Sequence, residues 1–89
     1  MTLKEIKEMF KVGDTWNAVN TYIAAACGPR VIVEVRGVDV ISDNNQSRTS
    51  HMEWPKASEV IEARPGYLKF RFPARLEHLK GHTVELTKA

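Results

Sequence analysis

Four side chains in this sequence are soft or borderline metal ligands: Cys27, His51, His78 and His82. His78 and His82 lie four residues apart, the spacing that puts two ligands on one helix face. Gly81 falls between them and argues for a helix end at that point. No C-x-x-C pair and no H-E-x-x-H run accompanies them, so surface histidines are expected and no metal site. Cys27 sits in the run AAACGP, an apolar setting before a turn, with no histidine or basic residue beside it. A thiol becomes a nucleophile where a nearby positive charge favours the thiolate, so a buried, inert cysteine is expected here. The chain has no G-x-S-x-G elbow, no phosphate-binding glycine loop and no acid pair in an informative context. It is read as non-catalytic, with no cofactor and no small-molecule substrate.

The sharper chemistry is binding. In YLKFRF, residues 67–72, Leu68, Phe70 and Phe72 alternate with Tyr67, Lys69 and Arg71. A strand would turn the first set inward and the second to solvent. Arg64 and Arg75 flank that polar face. An aromatic ring among cations on a strand is the arrangement that stacks a base while holding phosphates. Arg64, Tyr67, Lys69, Arg71 and Arg75 are therefore a candidate single-stranded nucleic-acid face. The competing explanation is equally physical: basic residues on an outer strand face keep a sheet soluble and discourage edge pairing. Residues 1–45 carry five Lys/Arg against six Asp/Glu, and residues 46–89 carry eight against five. That asymmetry is mild for a nucleic-acid binder, so a second class stands beside it: a protein-contact or self-associating module.

Composition bounds the frame that positions these residues. Eighty-nine residues make one domain, residues 1–89, which conceals roughly 60–65% of its unfolded surface and has a thin core. Its 43% hydrophobic and 27% charged residues fit a folded globular chain. No apolar run approaches the ~18 residues of a membrane span, and the N-terminus lacks the apolar stretch of a signal peptide. The single cysteine excludes an internal disulfide and suits a reducing cytoplasm.

Thr2 with Glu5 three residues on has capping-box spacing, and Leu3, Ile6, Met9 and Phe10 form one apolar stripe. A helix within residues 1–12 is expected, packing on a body formed by residues 14–89. Residues 14–27 fit a helix by periodicity and a strand by content; a strand through about Ile23 is adopted. Val31, Val33 and Val35 alternate, then Val38 and Val40 take the opposite parity. A β-bulge at Gly37 that bends one long strand would produce that flip. Asp43–Gln46 is a turn; Arg48–Trp54, Glu59–Ala63, Tyr67–Phe72 and Thr83–Thr87 are strands; Ala74–Lys80 is a short helix. The expected core contains Trp16, Val33, Val35, Met52, Trp54, Leu68, Phe70 and Phe72. The fold class is mainly β: a small, strongly bent antiparallel barrel or roll of about five strands with an N-terminal helix.

Trp54-Pro55-Lys56 ends a strand abruptly. Proline forces an extended Trp54 and has no N–H for the ladder. Pro55 then starts a helical turn through Ala57 and Ser58 that makes a corner, while Trp54 plugs one end of the core and Lys56 is a solvated charge. The same stretch carries a resemblance. Lys11-Val12-Gly13-Asp14-Thr15-Trp16, Asn20-Thr21-Tyr22-Ile23 and Trp54-Pro55-Lys56-Ala57 resemble the K-x-G-D, N-x-Y-I and W-P-K-A pattern of small proteins encoded by tailed bacteriophages and prophages. The resemblance spans about residues 11–63 in short pieces. It implies a phage or prophage source and the cytoplasm of a bacterial host, and it implies no activity.

Overall fold

Thr2 and Glu5 form the capping box that their spacing predicts. The Thr2 hydroxyl accepts the Glu5 N–H at 3.2 Å, and the Glu5 carboxylate accepts the Thr2 N–H at 2.8 Å. Hydrogen bonding to the carboxylate by Thr2, its backbone N–H foremost and its hydroxyl second, holds the Glu5 carboxyl below the usual carboxylate range. They open α1 (Leu3–Glu8), in a computed structural model that describes residues 1–22, 27–44 and 49–89. Six residues are too few for a helix to stand alone in water. Ile6 and Phe10 are buried against the body of the domain, and their burial holds the segment in place.

Among the described residues seven antiparallel strands make one sheet: β1 (Thr15–Asn20), β2 (Gly28–Val35), β3 (Asp39–Asp43), β4 (Thr49–Glu53), β5 (Val60–Arg64), β6 (Tyr67–Arg71) and β7 (Thr83–Lys88). Their order is β4-β3-β2-β1-β7-β6-β5, so β4 and β5 are unpaired edges and the sheet does not close into a barrel. The segment 14–27, ambiguous in sequence, is a strand as far as Asn20; Ile23 lies outside the described residues.

The strand count exceeds five for a local reason. The expected long strand bulged at Gly37 is a hairpin: the Arg36 N–H donates to the Asp39 carbonyl at 2.8 Å across Gly37-Val38. Reversal of the chain, rather than one extra residue, flips the apolar parity there. The bulge lies earlier, where the β2–β3 register shifts between Ile32 and Glu34 and leaves Val33 without a partner. Ile32 is consequently buried, while Val33 is 43% exposed and Val35 37%. Both valines leave the expected core.

The rest of that core holds. Trp16, Leu68 and Phe70 are buried, and Met52, Trp54 and Phe72 pack partly buried against them. Ile32, Val40, Val84 and Leu86 complete the concave face. Leu68 faces Leu86 and Phe70 faces Val84 across β6 and β7. Phe10 joins the helix segment to this layer, stacked on Trp16 at 4.3 Å between ring centres and edge-on to Trp54 at 5.3 Å.

Residues 54–59 connect opposite edges of the sheet. Laid flat, seven strands would put β4 and β5 about 29 Å apart. The seven steps from Glu53 to Val60 reach about 25 Å fully extended. They are not fully extended, because Ala57–Glu59 is a single 3-10 turn. The sheet must curl until its edges approach. Trp54-Pro55-Lys56 is the tether: Pro55 is buried, and the Trp54 indole N–H donates to the Arg36 carbonyl at 2.8 Å. The turn starts two residues later than the proline suggests, at Ala57, with Lys56 as its cap. Residues 72–82 form the other long connection, in which the expected helix 74–80 shrinks to one 3-10 turn, Glu77–Leu79. No described helix is long and apolar enough to cross a membrane.

Candidate nucleic-acid interface

Tyr67, Lys69 and Arg71 leave the outer face of β6 as the alternation requires, but register surrounds two of them with acids. Lys69 has Glu62 opposite it on β5 and Glu85 opposite it on β7. The Tyr67 hydroxyl donates to the Glu85 carboxylate. That hydrogen bond, followed by partial desolvation and the charges of Glu85 and Glu62, pushes the Tyr67 phenol above the usual tyrosine range, against the pull of Arg64. The Arg64 guanidinium lies 3.9 Å from the Tyr67 ring centre and also bridges to Glu62. The ring that would stack a base is therefore already covered on one face by a cation. Arg64, Tyr67 and Lys69, with Glu62 and Glu85, form a self-neutralised patch.

Arg71 and Arg75 belong elsewhere. The Arg71 guanidinium donates to the Ser58 carbonyl at 2.8 Å, and Arg75 pairs with Glu53. Both line an open hollow of about 560 Å³ between the 57–59 turn and the 72–82 connection. Lys56 and Lys80 line it too, and Glu59 is its one acid. The Glu59 carboxylate accepts the Lys56 backbone N–H at 2.8 Å. Half-buried Phe72 and Pro73 add apolar wall. The five-residue face read from the sequence thus divides in two, and its second part recruits two lysines. Lys56 reads as a solvated charge in the sequence. Lys80 is simply the last cation of a basic run. Their meeting depends on the tether and the 72–82 connection lying side by side, which no local spacing encodes.

The other chemistry-bearing residues have structural partners. Cys27 is half-buried, its sulfur facing the Asn20 N–H at 3.3 Å where β1 leads towards β2. His82 bonds to Thr21 through Nδ1 at 3.0 Å, and both His78 and His82 lie edge-on to the Tyr22 ring. His51 pairs with Asp39 at 3.2 Å. Among the described residues no three His, Cys, Asp or Glu side chains converge as metal ligands. A second hollow, about 260 Å³ and mostly apolar, opens on the concave face beside Phe10, Trp16, Met52 and Arg30. No protein-family model, curated protein or solved structure matches this chain.

Proposed function

We propose that the chain is a non-catalytic accessory binding module of phage or prophage source that acts by contact with a protein partner or with further copies of itself. The observation that carries this reading is the open sheet. Two strand edges, β4 and β5, are left unpaired among the described residues. The β2–β3 hairpin beside them holds Val33, Val35 and Val38 in water, the last 75% exposed. Unpaired ladders and clustered exposed apolar residues are what contact surfaces are made from. The motif resemblance supports the source and a place in the bacterial cytoplasm. Sedimentation velocity at low and high micromolar concentration tests the self-contact form, with Val33→Glu/Val38→Glu as the comparison. Concentration-dependent association lost in that variant supports it. A parent that stays monomeric, and whose variant retains the same partners in a crosslinked host lysate, removes the hairpin from the reading.

A second reading is weak binding of single-stranded nucleic acid. It is favoured by the gathering of Lys56, Arg71, Arg75 and Lys80 around one hollow.

A further inference from the structure

We propose that this basic hollow, rather than the outer face of β6, is a binding site for the phosphodiester backbone of a single nucleic-acid strand. The inference rests on the second reading above and gives it a location. Charge comes first. The whole chain has a net charge of only +2, yet four cations and one acid line this single depression. Glu59 offsets one of them and Glu53, paired with Arg75, a second, which leaves two positive charges uncompensated. Lys56 and Lys80 form no ion pair with any described residue. Like charges held around a concave, low-dielectric wall repel one another and focus a positive potential into the hollow. Nothing in the fold needs that arrangement. An anion in the hollow relieves it.

Geometry narrows the anion. Arg71 is fixed from behind by the Ser58 carbonyl, so its remaining guanidinium donors are pre-oriented rather than free to swing. Arg75 is likewise positioned through Glu53. Lys56 and Lys80 are flexible point charges, suited to following a chain of phosphates. Half-buried Phe72, which also packs against the core, lines the hollow beside these cations. Cations around an exposed aromatic surface serve a strand whose bases are free to stack. A duplex keeps its bases inside and presents a broad convex backbone that a depression of this size does not fit. The strand face offers the opposite: its ring is covered by Arg64, and its cations are matched by Glu62 and Glu85.

Two charge-matched variants separate the sites. Lys56→Gln/Lys80→Gln removes two charges from the hollow, and Arg64→Gln/Lys69→Gln removes two from the strand face. Each is compared with the parent by fluorescence anisotropy on a labelled oligothymidylate at several salt concentrations, with thermal melts confirming that each is folded. The hollow variant should lose at least about tenfold in affinity at low salt. Its dependence of log K on log salt should flatten by roughly 1.4, two contacts at ~0.7 each for a single strand. The strand-face variant should keep the parental slope. Equal losses in both variants would mean a diffuse charge effect and would overturn the site. Loss confined to the strand-face variant would overturn the site while leaving the nucleic-acid reading standing. A parent that does not bind at low salt removes both. Duplex or heparin bound as tightly as the single strand would overturn the assignment of the ligand.

Discussion

Removing Trp54 tests whether the tether between the sheet edges is held by packing. In Trp54→Ala three contributions are lost. A fully buried aromatic truncated to alanine costs about 3–5 kcal/mol, and Trp54 is half-buried, so roughly 2 kcal/mol is expected from lost packing. The edge contact with Phe10 adds about 0.5–1.5 kcal/mol. The indole hydrogen bond to Arg36, open to solvent, adds about 1 kcal/mol at most. These overlap, and the sum expected is about 2–4 kcal/mol. A chain of 89 residues has a total stability of roughly 4–13 kcal/mol, so the loss is a large share of it and the variant melts some 10–25 °C lower. Trp54→Phe keeps an aromatic ring against Phe10 and loses the hydrogen bond with part of the packed area, a fall of about 4–8 °C. Thermal unfolding followed by far-UV circular dichroism measures both, and Trp16 then becomes the sole tryptophan reporter of the core. Should Trp54→Ala melt with the parent, the indole contributes nothing to holding the edges together and the argument fails.

Trp16 is 1% exposed, and its indole N–H has no hydrogen-bond partner among the described residues; Trp16→Phe removes that donor while keeping most of the stack on Phe10, so urea unfolding should show a change of under about 1 kcal/mol, against about 3–5 for Trp16→Ala. Gly66 turns the β5–β6 hairpin at φ +77°, whereas Gly37 has an ordinary φ and open space where a Cβ would sit. Gly66→Ala should therefore lower stability by about 1 kcal/mol or more and Gly37→Ala by under about 0.5 kcal/mol in thermal melts. Spectrophotometric titration should show a phenol ionising above the usual tyrosine range that disappears in Tyr67→Phe. Because that folded-state value is raised, the Tyr67–Glu85 bond contributes its stability below pH ~10. The contribution is lost as pH climbs through the raised value, so parent and variant should converge in stability only in strong alkali.

What the sequence makes legible follows from how local each signal is. Tyr67–Phe72 is readable because Pro65-Gly66 and Pro73 bracket a strict alternation with one apolar face, and β6 keeps that register throughout. The capping box at Thr2 and Glu5 is likewise complete within four residues. Residues 31–43 are not readable in the same way, because a bulge at Val33 and a reversal at Gly37-Val38 both change parity, and valines occupy both faces. A single flip at Gly37 is the simpler account of the pattern and the wrong one. The binding face fails at a different level. Tyr67, Lys69 and Arg71 do share a side, but Glu62 and Glu85 neutralise that side only through cross-strand register. Of the four cations of the hollow, Arg71 ends β6 and the other three come from two separate connections. Side-chain direction is a local property; which charges become neighbours is a property of the whole sheet.

The strand order also dictates how the chain can reach this structure. Strands β1–β4 and β5–β7 are two meanders, each built from neighbours in sequence, and they meet in the sheet only where β1 pairs with β7. That seam joins Trp16 to Lys88 and Asn20 to Val84, closing a loop of more than sixty residues. Its entropic cost is roughly 3–4 kcal/mol, larger than for any hairpin in the molecule. The meanders can form early and locally, while the middle of the finished sheet forms last, making the seam the kinetic bottleneck. Each half waiting for its partner exposes the same β1 or β7 edge that a second chain offers. At high concentration during refolding, the β5–β7 meander of one molecule can complete the β1–β4 meander of another, with residues 54–59 as the hinge.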